Sequence, residues 1–271
     1  MLSKYESVIN SDLIAPNDKY YWGYQYRLGY EVLVPYLTKI GAFKPGYSVA
    51  EIGSAEGGVL AAFVDAGATE PLGTDIVSIR LEKGRIISDI INCNISFELH
   101  NIITEEPKQE WLEKYDLVIL RDVIEHLDDT KLALKQIKKI IKPGGFLYVT
   151  FPPYYSPFGG HQHTVENFWG KFPFIHYLPN FIFYKLIESG RENDIFEVKR
   201  LQKIRLTPKK FIHSALESDY DIFHKDYYFL RPVYKMKFGL PAIKSNLLSY
   251  IPVIKNVFSL EASYILKKKL K

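Results

Sequence analysis

From Tyr47 to Phe151 the chain alternates short apolar runs with longer segments of helical periodicity. Tyr47–Ile52, Pro71–Asp75, Ile95–Leu99, Asp116–Leu120 and Phe146–Phe151 predict five strands. The unbroken apolar run Leu117–Leu120 is the pattern of a strand buried on both faces. Helices are predicted over Val59–Ala66, ended by Gly67, over Ser78–Ile91 in spite of Gly84, and over Asp129–Ile141. In the last, Leu134, Ile137 and Ile141 share one face, while Lys131, Lys135, Lys138, Lys139 and Lys142 fall mostly elsewhere and read as a solvated face. Pro143-Gly144-Gly145 is expected to stop that helix. Alternation of this kind implies an α/β fold, a mostly parallel sheet with helices on both sides.

Before this region, residues 20–40 carry Leu28, Val32, Tyr36 and Ile40 at helical spacing, and Phe43–Ser48 is a turn. After Phe151 the rhythm breaks. Pro152–Leu206 is rich in Pro, Gly and aromatics and reads as an insertion. Order returns with a helix at Thr207–Glu217, where Thr207 is an N-cap and Pro208 the first helical residue. A strand at Tyr220–Leu230, a helix near Ser245–Phe258 and a strand near Ala262–Lys267 complete the pattern. No repeat, low-complexity run or interdomain linker interrupts it.

Composition narrows the class. The 271 residues are 47% hydrophobic and 24% charged, ordinary for a globular protein, with a formal charge of only +4. That balance lacks the basic stripe of a nucleic-acid binder, so no nucleic-acid partner is expected. The single Cys93 excludes an internal disulfide and a cysteine zinc cluster. The first 21 residues have no apolar signal core, and no run of 18 apolar residues exists, so a cytoplasmic protein without a transmembrane segment is expected. Aromatics reach 15%, concentrated in Tyr20–Tyr36 and Phe151–Tyr184. Core packing and an aromatic-lined pocket both account for them.

The first strand runs into VAEIGSAEGG, Val49–Gly58. Gly53 allows a tight turn, Gly57 and Gly58 let the next helix start against a ligand, and Glu51 places a carboxylate at the strand end. A dinucleotide site wants G-x-G-x-x-G and an anion at the helix N-terminus. Here Ala55 holds the middle position, and Glu51 repels a pyrophosphate while attracting a cation. An NAD-dependent oxidoreductase is disfavoured on both counts. Four elements in order then carry a resemblance: this glycine segment, Asp75 in LGTDI 24 positions beyond Glu51, the run DVIEHL at Asp122–Leu127, and IKPGG at Ile141–Gly145. Together they resemble the class I S-adenosylmethionine-dependent methyltransferases, with Ala55 in place of one motif glycine and Asn101 where the family has an acid. The likeness covers residues 45–153, and the final LEASYILKK, Leu260–Lys268, is similar to the family's closing antiparallel strand.

The resemblance implies a doubly wound, mostly parallel seven-stranded sheet with the aromatic segment inserted after the fifth strand. It implies one domain over residues 1–271: a helical cap at 20–42, a cofactor-binding core at 45–153, an insertion or substrate lid at 154–206, and the rest of the sheet at 207–271. It implies S-adenosyl-L-methionine as cofactor, held by Glu51, Gly53, Ser54, Ala55, Gly57, Asp75, Ile76, Asn101, Ile102 and Arg121. Asp75 would take the ribose hydroxyls, Ile76 the adenine face and Asn101 the adenine edge. Asp122 and Glu125 are expected to cap the next helix instead of touching ligand.

The acceptor side is sought at the strand ends, where the insertion begins. Gly159-Gly160 reads as a hinge. His161 and His163, two apart, face one side if the segment is extended. They suit a general base, a structural pair, or a metal pair, although no third ligand is evident and no metal site is expected. His126 either sits structurally at a helix start or approaches the methyl group. The apolar Phe172–Ile187 fits a lid, a lipid-facing surface, a packed segment or an oligomer contact. Leu266–Lys271 is either a solvated tail or a weak contact with an anionic membrane surface. The expected activity is methyl transfer to a small molecule, such as a sugar, lipid-linked or secondary-metabolite hydroxyl. A methyltransferase for tRNA or protein and a non-catalytic cofactor-binding scaffold are the alternatives.

Overall fold

The parallel strands bury alternate side chains into two separate cores, and this sets the layering. In a computed structural model describing residues 2–246 and 251–269, Val49, Leu117, Ile119 and Tyr148 join one apolar cluster with the N-terminal helices. Ala50, Val118, Leu120, Leu147 and Val149 join the opposite one. A strand sends successive side chains to opposite faces, so each of these runs is apolar throughout.

The elements are α1 (Leu2–Ile9), α2 (Pro16–Leu28), α3 (Val34–Ile40), β1 (Ser48–Ile52), α4 (Gly58–Asp65), β2 (Thr69–Asp75), α5 (Ser78–Ile90) and β3 (Ser96–Leu99). Then come β4 (Tyr115–Arg121), α6 (Thr130–Ile140), β5 (Ile141–Phe151), α7 (Asn180–Ile187), α8 (Glu192–Ile204) and α9 (Pro208–Glu217). Last are β6 (Tyr220–Leu230), α10 (Val233–Phe238), β7 (Ile243–Lys244), α11 (Pro252–Phe258) and β8 (Glu261–Lys268). The sheet order is β3-β2-β1-β4-β5-β8-β6-β7. β1 to β5 are parallel; β8 inserts antiparallel between β5 and β6, and β7 is an edge of two residues. The expected seven-stranded α/β sheet is therefore present with one short strand added. The order reverses between β1 and β4, which opens a crevice at their carboxyl ends.

α2 and α3 are joined through a π-helical turn at Gly29–Leu33, so residues 16–40 form one continuous helical rod against α4. Thr207 accepts a hydrogen bond from the Lys210 N–H, as an N-cap does. The helix expected near Ser245–Phe258 is α11 over its second half; residues 247–250 lie outside the described residues.

Three expectations are corrected. Pro143-Gly144-Gly145 does not separate helix from strand: α6 ends at Ile140, and Ile141 already pairs with Tyr115, so the Pro-Gly-Gly segment is a bulged entry to β5. Leu266–Lys268 is not a tail, since these residues lie in β8 inside the sheet. The Lys268 ammonium is buried, 2.9 Å from Glu113 Oε1 and 2.7 Å from the Ile141 carbonyl it donates to. Within this stretch that withdraws Lys268 from any membrane contact. Asp122 and Glu125 do not cap α6 either. Asp129 does, accepting from the Leu132 N–H at 2.8 Å.

The insertion has its own small core of Val165, Ile175, Phe183, Ile187 and Val198. The apolar stretch Phe172–Ile187 thus divides: Ile175, Phe183 and Ile187 pack inward while Phe172, Tyr177 and Phe181 are exposed. Among the described residues no helix is long and apolar enough to cross a membrane.

Candidate active site

The crevice is a cavity of about 1600 Å³. Its floor is the turn after β1. Gly53 and Ser54 donate to the Thr74 carbonyl at 2.7 and 2.9 Å, which ties this turn to the end of β2. Ala55 adopts φ +49°, a left-handed conformation, and its N–H donates to Asp75 Oδ2 at 2.9 Å. For an L-residue that conformation costs roughly 1–2 kcal/mol. The alanine therefore keeps the turn a glycine would make, with strain. Gly57, at φ +75°, is the N-cap of α4. Its missing side chain leaves room for the Phe97 ring, 2.6 Å from where a Cβ would stand.

Glu51 closes β1 with its side chain buried and Oε2 without a hydrogen-bond partner. Burial pushes its pKa up to about 8, against the lowering pull of the Arg121 guanidinium. Asp75 accepts from Ala55 N–H with one oxygen and from Val77 N–H at 2.9 Å with the other. Each oxygen keeps a second acceptor position. Asn101 Oδ1 accepts from the Ile103 N–H at 3.0 Å, and Ile102 is buried beside it. Ile76 stands exposed on the rim. Arg121 is buried and donates to Gln25 Oε1 of α2 at 2.8 Å. Glu51, Gly53, Ser54, Ala55, Asp75, Ile76, Asn101, Ile102 and Arg121 all line the cavity; Gly57 supports the wall from behind.

The histidines close the far side. Residues Ile124–His126 form a 3₁₀ turn after β4, and a second 3₁₀ turn, Gln162–Thr164, follows His161. His161 has φ +55°, so the segment is not extended, and the His161 and His163 rings stand at 86° with centroids 5.6 Å apart. The side-by-side pair expected from their spacing is replaced by a His126–His161 contact, centroids 4.8 Å apart. His126 Nδ1 lies 2.6 Å from Glu197 Oε1 of α8. Burial works to lower the His126 pKa, but the Glu197 and Glu125 carboxylates outweigh it and raise it. Burial, with the His126 and His163 charges, takes His161 well below the usual imidazole range. His161 is therefore a neutral imidazole at pH 7. Gly159 and Gly160 are no hinge: a Cβ at Gly159 would stand 2.0 Å from the Pro153 carbonyl oxygen, and one at Gly160 2.5 Å from the His176 ring.

Sequence reasoning missed part of the wall. Tyr21, Trp22, Tyr24 and Gln25 of α2 face the cavity, as do Glu125 and Arg231. The helical pattern of residues 20–40 locates α2, but no local motif marks which face meets the crevice.

A glycine turn, a buried strand-end acid and a second-strand acid meet at the topological switch point, where open α/β sheets bind their ligands. Residues 22–216 match the family described as a methyltransferase domain. The chain therefore belongs to that family, the class I S-adenosylmethionine-dependent methyltransferases, with S-adenosylmethionine as its cofactor. It is 26% identical over 218 residues to phosphoethanolamine N-methyltransferase 1 of Zea mays, covering 73% of this chain and 40% of the relative. It is 30% identical over 103 residues to a ubiquinone biosynthesis O-methyltransferase of Acinetobacter baumannii, covering 38% and 43%. The chain thus spans about two-fifths of the length of these relatives. In fold it is similar to phosphoethanolamine N-methyltransferase 2 of Haemonchus contortus in complex with S-adenosyl-L-methionine, at TM-score 0.54 and 16% identity, covering all of this chain and 57% of that one.

Proposed function

We propose that this chain methylates a hydroxyl of a small molecule, such as a sugar, a lipid-linked compound or another secondary metabolite, in a reducing cytoplasm. One observation carries the reading: the Glu51–Asp75 turn and the histidine cluster share a single cavity of about 1600 Å³. Small-molecule sites commonly occupy about 300–1000 Å³. This cavity has room for a cofactor and an acceptor side by side. Its aromatic walls, Trp22, Tyr24 and Phe158 among them, suit an organic acceptor.

The residues fit the cofactor. Glu51 is a buried carboxylate whose Oε2 has no hydrogen-bond partner, a state that a cationic ligand relieves. Beside it Arg121 offers the opposite charge, so the pair matches the amino and carboxylate groups of an amino-acid end. Asp75 retains acceptor positions for the ribose hydroxyls, Asn101 and Ile102 border the adenine, and Ile76 covers its face. When bound, the cofactor supplies a methyl carbon activated by a positive sulfur and leaves as a neutral thioether.

The chain's own task is to align the acceptor and exclude water, worth up to about 7–11 kcal/mol. A hydroxyl must also lose its proton. Neutral His161 and His163 accept it within the cavity, with His126 fixed behind them by Glu197. The test is a methyl-donor consumption screen over sugars, phenols and amines, with product mapping. O-methylated products, lost in His161→Ala or His163→Ala while calorimetric cofactor binding persists, support the reading. Products methylated only at nitrogen or carbon, or normal turnover in both variants, overturn it.

A further inference from the structure

Glu125 is 4% exposed and neither carboxylate oxygen has a hydrogen-bond partner. Buried carboxylates are ordinarily paired or bound to a metal. Its nearest base makes no hydrogen bond to it: His126 Nε2 is 3.9 Å from Glu125 Oε1, a long ion-pair contact beyond hydrogen-bond length. One donor atom each from Glu125, His126 and His161 nevertheless lie within 4.8 Å of one another.

The surroundings are those of a ligand set. His126 Nδ1 is held by Glu197 Oε1 at 2.6 Å, which leaves Nε2 as the free nitrogen on the Glu125 side. Metal-binding histidines commonly give their other ring N–H to a carboxylate in this way. The neighbouring cations are engaged elsewhere. Arg231 is bound to Asp122 and Glu261, while Arg200 donates to the His126 carbonyl and lies near Glu197 and Asp128.

We propose that Glu125, His126 and His161 bind one divalent transition-metal cation of the zinc class, with its remaining coordination positions open to the acceptor side of the cavity. Two imidazoles and one carboxylate favour zinc or a neighbouring first-row ion over magnesium, which prefers oxygen donors. Bonds of about 2.0–2.1 Å place tetrahedral ligands roughly 3.4 Å apart. From within 4.8 Å the donors need to close by up to about 1.4 Å, within the reach of side-chain rotation. Sequence spacing suggested His161 and His163 as the pair; the fold instead supplies the third donor from the DVIEHL turn. What the cation does rests on the methyl-transfer reading: with the cation bound His161 is a ligand and no longer a base, the cation lowers the pKa of an acceptor hydroxyl that reaches it, and His163, exposed at the mouth, alone takes the proton and passes it to solvent.

The metal-free full chain is titrated with Co²⁺, followed by its visible d–d absorption, and then with Zn²⁺ by calorimetry, without cofactor or acceptor. One equivalent is expected to bind, with Zn²⁺ displacing Co²⁺. Glu125→Gln and His161→Ala are expected to weaken binding at least tenfold, whereas His213→Ala, on an exposed face, leaves it unchanged. Glu125→Gln keeps the side-chain shape, and retained cofactor binding shows that the variant is folded. Absence of the Co²⁺ band, or a band of equal affinity in Glu125→Gln and His161→Ala, overturns the proposal and leaves methyl transfer standing. A normal Co²⁺ complex with no methylated product overturns only the proposed function.

Discussion

Nη2 of Arg231 lies 2.6 Å from both carboxylate oxygens of Asp122, across 109 residues of sequence. The same guanidinium donates through Nε to Glu261 Oε2 at 3.0 Å. Asp122 itself has φ +53°. The pair therefore locks the left-handed residue that aims the turn carrying Glu125 and His126, and it joins the end of β4 to the residue after β6 and the start of β8. Burial alone would raise the Asp122 pKa, but the two arginines hold it below the usual carboxylate range.

Arg231→Met removes the cation and strands two acids. Breaking a buried pair costs about 3–5 kcal/mol. Asp122 is one-third exposed, so the low end, about 3 kcal/mol, is expected. Urea unfolding measures it as a lower midpoint, and adding Asp122→Asn should recover part of the loss. A midpoint equal to that of the parent would show the network to be energetically idle.

Glu51 predicts a pH dependence whose sign is fixed. Its folded pKa, about 8, lies above the ordinary carboxylate value, so the ligand-free fold favours the protonated form. This contribution is complete at acid pH and is lost as pH rises toward 8. Raised Glu125 acts in the same direction, whereas the lowered His161 and His176 act on the acid side of the imidazole range. The melting temperature of the ligand-free protein should therefore fall between pH 6.5 and 8. A cationic ligand needs the carboxylate, so cofactor affinity should rise by up to about tenfold per pH unit below 8 and then level off. Calorimetry in buffers of different ionisation enthalpy should record proton release. Glu51→Gln should flatten the profile and, above pH 8, weaken binding by about ten- to a hundredfold, as for a lost charged hydrogen bond. A flat profile in the parent chain would dismiss Glu51 as the cation's partner.

Phe97 packs against three glycines at once, sharing Gly73 with the closer Ser54 Oγ at 2.7 Å. Its ring lies 2.6, 3.1 and 2.7 Å from the places where Gly57, Gly73 and Gly84 would carry a Cβ. Gly84, unfavourable inside a helix, is there because α5 crosses this ring. Gly84→Ala should then destabilise the fold even though alanine is the better helix former. An overpacking cost of about 1–3 kcal/mol is expected. Phe97→Leu opens the space, so the double variant should lose less than the sum of the singles, which a double-mutant cycle by chemical denaturation detects. Strict additivity would mean that the ring and the glycine do not meet.

What was legible in the sequence is local. β6 runs from Tyr220 to Leu230 as its apolar and aromatic pattern implies, and the central parallel strand β4 was visible because burial on both faces makes Leu117–Leu120 a continuous apolar run. The cofactor turn was readable because tight turns need particular residues at fixed offsets. The acceptor side was not. Asp122 meets Arg231, and His126 meets Glu197, through contacts 109 and 71 residues apart that leave no periodic trace. Glu125 looked like a helix cap because acids favour helix starts, yet Asp129 takes that role. The closing strand was legible over Leu260–Lys268, but the burial of the Lys268 ammonium was not, because its partners Glu113 and the Ile141 carbonyl lie 155 and 127 residues away.

Gly160 is the sharpest test of how the insertion is built. Read as a hinge, it should tolerate alanine, since its φ is not among the left-handed values. Packed as observed, it cannot: the new methyl would meet the His176 ring, whose Nε2 is hydrogen-bonded to the Tyr154 carbonyl at 2.9 Å. Burial depresses His176 to about 4, so the ring is neutral and has no charge to draw it into water. Gly160→Ala should push His176 aside, break that bond and loosen the small core of Ile175 and Phe183. Because that core is separate from the two that sandwich the sheet, the damage should stay local. Hydrogen exchange should quicken within residues 154–206 while β1, β4 and β5 keep their protection, and cofactor binding should hold. Unchanged exchange in the insertion would restore the hinge.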